Sequence, residues 1–159
     1  MLKFELIEGA KNATLEELEK LKNKFQIILP PDFIFIALNF NKFDIKHNKE
    51  TEDVRFYLNH GETTGFDYCI DFREIVNNIS ILEMYDKTDR LELAKNFLPF
   101  FQTGYNDLIL IGNQSHNANQ IYYFDPNGYD AEKRQNSILK KQADNYIDFI
   151  NNQVYIEKR

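Results

Sequence analysis

The sequence has no tryptophan, a single cysteine and no long apolar run. With Cys69 alone, neither an intramolecular disulfide nor a four-cysteine zinc site is possible. No stretch approaches the ~20 consecutive apolar residues of a membrane span. Charges interrupt the apolar residues from Met1 to Glu8, so the N-terminus has no signal-peptide layout, and a cytoplasmic protein is expected. There is no basic excess either. Lys and Arg number 19 against 25 Asp and Glu, a net charge of −6. That balance disfavours nucleic acid and anionic membranes as partners and is compatible with a basic protein. The glycine-rich signatures G-x-x-x-x-G-K-[ST] and G-x-G-x-x-G, which cradle phosphate groups, do not occur.

Catalytic and metal-binding patterns are equally scarce. His47, His60 and His116 fall in expected loops or turns, far apart in sequence, with no i,i+4 pair and no H-E-x-x-H. Cys69 lies within an alternating strand pattern, which suits a buried thiol better than a nucleophile. The run from Asp125 to Asp130 resembles a calcium loop only superficially. Tyr129 stands where an Asx ligand is needed, Asp130 where glycine is needed and Asn136 where the bidentate glutamate belongs. A turn with an Asx-type bond accounts for the same residues. The acids Glu16, Glu17, Glu50, Glu52 and Asp53 sit in polar contexts that give no burial to tune a catalytic pKa. Asp67 and Asp71 are strand-end acids, and a structural role is the simpler reading of both. No catalytic residue, metal ligand or cofactor is assigned, and an enzyme is not expected.

What the chain does have is bulk: 14 Phe, 9 Tyr and 43% hydrophobic residues, enough for a sizeable core in 159 residues. Thr14-Leu15-Glu16-Glu17 reads as a capping box, followed by Leu15, Leu18, Leu21 and Phe25 at helical spacing, which predicts a helix over 15–25. Pro30 ends that segment, and Pro31 opens a second helix over about 32–39 with an apolar face of Phe33, Ile34, Ile36, Ala37 and Phe40. A short strand is expected at 43–45. Val54, Phe56 and Leu58 alternate as in a strand, 60–65 forms a turn, and 66–72 returns as a hairpin partner. Residues 73–82 leave helix and strand unresolved. Leu108 to Ile111 and Ile121 to Phe124 are apolar runs suited to paired core strands, preceded by the aromatic-proline lead-in 97–101 and joined by a polar, exposed connector over 113–119. A final helix is expected from Asn136 or Ser137 through Ile150, with Leu139, Ala143, Tyr146 and Ile150 as its core stripe.

Three of these segments carry a resemblance. Leu29-Pro30-Pro31-Asp32-Phe33 after an amphipathic helix is similar to the L-P-x-x-[FY] entry of the SMI1/KNR4 family, the SUKH superfamily. Phe97-Leu98-Pro99-Phe100, then Gly104, Asp107-Leu108-Ile109-Leu110 and Ile121-Tyr122-Tyr123-Phe124-Asp125, resemble its proline-led pair of core strands. The closing segment from Tyr146 to Ile150 matches its terminal helix. The resemblance implies one α+β domain over 1–159, core about 14–152, with a mostly antiparallel sheet of about four to six strands packed against N- and C-terminal helices. It further implies an immunity protein of bacterial type that occludes a cognate polymorphic toxin, often a nuclease, without catalysis. The alternative is a regulatory or scaffold module of the same fold with a cellular partner. Acids clustered in expected loops of the middle segment, Glu50, Glu52, Asp53, Glu62 and Asp67, are the expected contact surface for the toxin domain, because an acidic surface suits a nuclease's basic cleft.

Overall fold

A computed structural model describes residues 4–7, 11–40, 43–59, 61, 63–69, 74–89, 92–103 and 107–159, with the side chains of 4–6, 43, 63, 66–69, 76–78 and 88–89 excepted. Helix α1 (Leu15–Phe25) begins as the sequence dictates. The Glu17 backbone N–H donates to Thr14 Oγ1 at 3.2 Å, and the Thr14 N–H donates back to the Glu17 carboxylate at 2.9 Å. This reciprocal cap satisfies two of the donors that a helix start leaves unpaired. The helix ends on Gln26 in the left-handed region, with φ 53°. Helix α2 (Pro31–Phe40) has proline at its first position, where no backbone N–H is needed, and buries Phe33, Ile36 and Ala37.

Strands β1 (Phe4–Leu6) and β2 (Phe43–Ile45) form a two-stranded antiparallel ribbon. The rest of the chain builds one larger sheet from β3 (Glu52–Tyr57), β4 (Thr63–Cys69), β5 (Phe97–Thr103), β6 (Leu108–Gly112), β7 (Ile121–Asp125), β8 (Ile138–Ala143) and β9 (Val154–Lys158). Its order is β8-β7-β6-β5-β4-β3-β9, and every pairing is antiparallel. Between strands lie α3 (Ile75–Asp89), α4 (Leu93–Asn96) and α5 (Tyr146–Gln153). This is a single α+β domain, as expected.

Helices cover both faces of the sheet. Register places Phe101, Ile109 and Tyr123 on one face and Leu110, Tyr122 and Phe124 on the other. On the first face, the α5 ring of Phe149 lies 5.3 Å from Phe56 and 6.5 Å from Phe101. On the other, Tyr85 of α3 meets Phe124 edge-on at 5.4 Å. Coverage on both sides explains why β6 reads as an unbroken apolar run, with all five residues buried.

Four segments differ from the sequence reading. Among the described residues the main sheet has seven strands, more than the four to six expected. One extra strand is the aromatic-proline lead-in, which is β5 itself. Pro99 is tolerated in a central strand because the register against β6 shifts between Pro99 and Phe101, a bulge where a ladder N–H is not required. The expected final helix over 136–150 is instead β8 followed by α5. Pairing with β7 engages one side of the backbone of 138–143, and Asn145 then caps α5 by accepting from the Asp148 N–H at 2.9 Å. The ambiguous run at 79–82 is helical, burying Ile75, Ile79 and Leu82 at i, i+4 and i+7. The connector 113–119 is not uniformly exposed, since Asn113 and Asn117 are buried. Asn117 Nδ2 donates to the Asn96 carbonyl at 2.9 Å, and its Oδ1 accepts from the Gln114 N–H at 2.9 Å. Asn117 is thus hydrogen-bonded despite its burial, whereas Asn113 Nδ2 has no hydrogen-bond partner among the described residues.

Candidate functional site at the β3–β9 edge

The expected contact acids do not form one constellation. Glu50, Glu52 and Asp53 come together on the turn that enters β3. Glu62 lies outside the described residues. Asp67 is on β4, so that position belongs to a strand rather than a loop, where the register against β5 shifts between Phe66 and Tyr68. The β3–β4 register pairs Arg55 with Gly65, which carries the positions of Asp53 and Asp67, two residues further along, to the same end of the sheet.

The turn is held by its own side chains. Thr51 and Glu52 N–H groups donate to the Asn48 carbonyl at 3.0 and 2.8 Å. The Asn48 N–H donates to Glu52 Oε2 at 2.8 Å, and the Glu50 N–H donates to Asn48 Oδ1 at 3.1 Å. Asp53 is engaged differently: Arg159 donates to its Oδ1 from Nη2 at 2.6 Å and from Nε at 3.0 Å. That guanidinium holds the Asp53 carboxyl below the usual carboxylate range. Asp53 thus anchors the end of β9, while among the described residues Glu50 and Glu52 have no cationic partner.

Beyond the turn, β3 alternates. Val54 and Phe56 are buried, and Asp53, Arg55 and Tyr57 point to the opposite face. Across the ladder Asp53 meets Glu157 and Arg55 meets Tyr155. Arg55 Nε lies 3.0 Å from the Glu157 carboxylate, and Tyr57 is 53% exposed. The Val54-Phe56-Leu58 alternation implied that Arg55 and Tyr57 face outward. Tyr155 and Glu157 were missed because nothing in the short segment 154–158 marks it as a strand until its partner β3 is known.

Elsewhere, a cleft of about 680 Å³ opens between α1, α3 and α4, lined by Phe25, Ile79, Glu83, Asp86, Glu92 and Lys95 among others. Asp86 is committed to structure: its carboxylate accepts from the backbone N–H groups of Leu93 and Ala94 and so caps α4. Glu92 is paired with Lys95 at 3.0 Å. His47 Nδ1 lies 2.6 Å from the Ile45 carbonyl oxygen, His116 is on an exposed turn, and His60 is outside the described residues. Among the described residues no three His, Cys, Asp or Glu side chains converge as a metal site. At the superficially calcium-like segment, Asp125 Oδ1 accepts from the Asn127 N–H at 2.7 Å, an Asx turn.

One buried carboxyl has unusual chemistry. Asp107 precedes β6, directly across the ladder from Asp125, and accepts from Tyr123 Oη at 2.8 Å and Thr103 Oγ1 at 3.3 Å. Burial raises its pKa, with the like charge of Asp125 adding to the effect and the two hydroxyl donors opposing it. A carboxyl with a raised folded-state pKa favours the fold fully below its unfolded value of about 3.9, and loses that contribution as pH climbs through the folded value. Asp107→Asn imitates the protonated acid. It is expected to stabilise the protein by ~1 kcal/mol near neutral pH, with the gain vanishing towards about pH 4. Urea denaturation of both proteins across that interval checks it; a gain that grows on acidification would refute the assignment.

Together these features define a helix-covered antiparallel-sheet domain with an ion-paired, acid-rimmed edge. The chain matches the SMI1 / KNR4 family (SUKH-1) over residues 12–152, nearly its whole length, and belongs to that family. No curated protein and no solved structure is significantly similar to it. No helix among the described residues is long and apolar enough to cross a membrane.

Proposed function

We propose that this protein is an immunity protein, which neutralises a cognate toxin domain in the cytoplasm by binding and occluding it, without catalysis. Membership of the SMI1 / KNR4 family over residues 12–152 is the observation that carries this reading. The net charge of −6 supports it, since an acidic protein associates quickly with a basic toxin surface. The turn carrying Glu50, Glu52 and Asp53, together with Glu62 and Asp67, is the proposed contact region. Searching the genes beside this one for a toxin domain, and co-expressing that domain with this protein, tests the function. Survival of the cells is expected, and continued killing despite stable, folded protein would sink the idea.

The acidic turn makes a narrower prediction. The double reversal Glu50→Lys, Glu52→Lys is expected to slow association with that toxin domain by about tenfold at low salt, with the difference shrinking as ionic strength rises. Stopped-flow association rates across a salt series provide the measurement. Rates equal to wild type throughout would remove this turn from the interface.

A further inference from the structure

Helix α2 carries two apolar stripes. Phe33, Ile36 and Ala37 are buried in the core. Pro31, Ile34, Phe35 and Leu38, at i, i+3, i+4 and i+7, form a second stripe on the outward side. There Pro31 is exposed, Phe35 is 60% exposed, and Ile34 and Leu38 are only half-buried. A helix that is apolar on every side belongs in an interior, so an exposed side on such a helix marks a surface that another molecule covers. The charge pattern agrees. Asp32 is the one ionisable residue of α2, and its carboxylate accepts from the Tyr146 N–H at 3.4 Å.

Beside this ridge lies a groove of about 170 Å³ between α1 and α2. Leu18 and Leu29 are its buried floor, and Leu15, Ile28 and Ile34 are its walls, with Leu15 66% and Ile28 48% exposed. An apolar cavity of roughly 150 Å³ takes a benzene ring, so the groove has room for a phenyl group. Its surroundings are electrically neutral. Glu19 pairs with Lys22 at 3.5 Å and Glu16 with Lys20 at 2.7 Å, while Glu17 is engaged in the Thr14 cap. The exposed parts of Leu15, Ile28, Phe35 and Phe40 amount to on the order of 500 Å² of apolar surface, at the upper end for the largest patch on a monomer.

We propose that this face of α1 and α2 joins two copies of the chain about a two-fold axis, with the Phe35 ring of each copy seated in the Leu15–Ile28–Ile34 groove of the other. Ridge and groove lie side by side on one face, which is what a self-complementary two-fold contact requires. Charge selects a second copy over a basic partner. Two chains of net charge −6 repel, so they can meet closely only where acids are absent or already paired. A basic protein would find no free acid there. The apolar patch alone supplies more than half of the ~800 Å² that each partner contributes to a standard interface, and a polar rim supplies the rest. This contact is independent of the toxin-binding reading and uses no residue of the acidic turn.

Sedimentation equilibrium of the full chain, from about 1 to about 200 μM, tests this. The mass should rise from the 18.9 kDa of one chain towards twice that value. A two-fold contact contains every substitution twice, so Phe35→Glu and Leu15→Glu, which set like charges against each other, should each weaken association by about tenfold or more. Both side chains are exposed in the single chain, and Leu15 opens α1, where an acid is favourable. In dilute protein, where the chain is monomeric, melting temperatures should therefore stay within about 2 °C of wild type. A mass of 18.9 kDa at every concentration overturns the proposal. Loss of binding to the toxin domain in folded Phe35→Glu would then assign the face to the toxin instead. Dimers that persist in both folded variants overturn it too, because the contact lies elsewhere. If Phe35→Glu fails to fold, Leu15→Glu decides alone.

Discussion

Phe101→Ala is expected to lower the unfolding free energy by about 3–5 kcal/mol, a large share of the roughly 5–15 kcal/mol that holds a domain together. Phe101 has no solvent exposure and sits where three parts of the chain meet. Its ring centroid lies 5.9 Å from Phe56 of β3, 4.4 Å from Phe100 of its own strand, and 6.5 Å from both Tyr146 and Phe149 of α5. Truncation removes the buried ring and leaves a cavity among side chains fixed by backbone pairing, so little collapse can offset it. Urea denaturation should show a lower midpoint at unchanged slope. Phe35→Ala is the control, since Phe35 is 60% exposed and its loss is expected to stay within about 0.5 kcal/mol. A Phe101→Ala loss no larger than that control would mean the aromatic cluster does not hold β5 to α5.

That cluster was only partly legible in the sequence. Phe100 and Phe101 announce burial by composition, but their partners are more than forty residues away on either side, and local periodicity does not report long-range pairing. Where a signal is local, it is readable. Thr14 and Glu17 cap α1 because both groups lie within one turn, and Pro31 starts α2 because it lacks an N–H. The segment 138–143 shows the opposite case. Ile138, Leu139 and Ala143 suit a helical stripe as well as a strand edge, and the unpaired backbone of β7 decides between them. At the candidate site, Glu50, Glu52 and Asp53 were readable as an acidic turn. The engagement of Asp53 by Arg159 was not, because that bond joins residues 106 apart in sequence. Tyr155 joins the same face only because β9 returns from the end of the chain to pair with β3.

Gly112→Ala is expected to cost about 3 kcal/mol or more, although it adds a single methyl group. Gly112 ends β6, and its N–H donates to the Gln120 carbonyl at 2.9 Å, closing the connector between β6 and β7. The new Cβ would lie 2.0 Å from the Asn117 carbonyl oxygen and 2.7 Å from the carbonyl carbon behind it. Backbone atoms can retreat only if the segment moves, and Asn117 is held on every side. Its N–H donates to the Gln114 carbonyl at 3.0 Å, and its own carbonyl accepts from the Gln120 N–H at 3.0 Å. Its side chain adds the bonds to Asn96 and Gln114 at 2.9 Å each. Relief therefore breaks buried hydrogen bonds, each costing about 1–3 kcal/mol when a partner is left unsatisfied. Thermal and urea unfolding measure the loss, and amide exchange at Gly112, Asn113 and Gln120 should accelerate with it. A loss below about 1 kcal/mol would show that the connector yields freely and that its amide network is not what fixes α4 against the sheet. The same change at Gly65 should leave stability level or improve it, because nothing stands above that residue. One glycine is required by the close approach of Asn117, whereas at the other a methyl group meets no described atom within 4 Å.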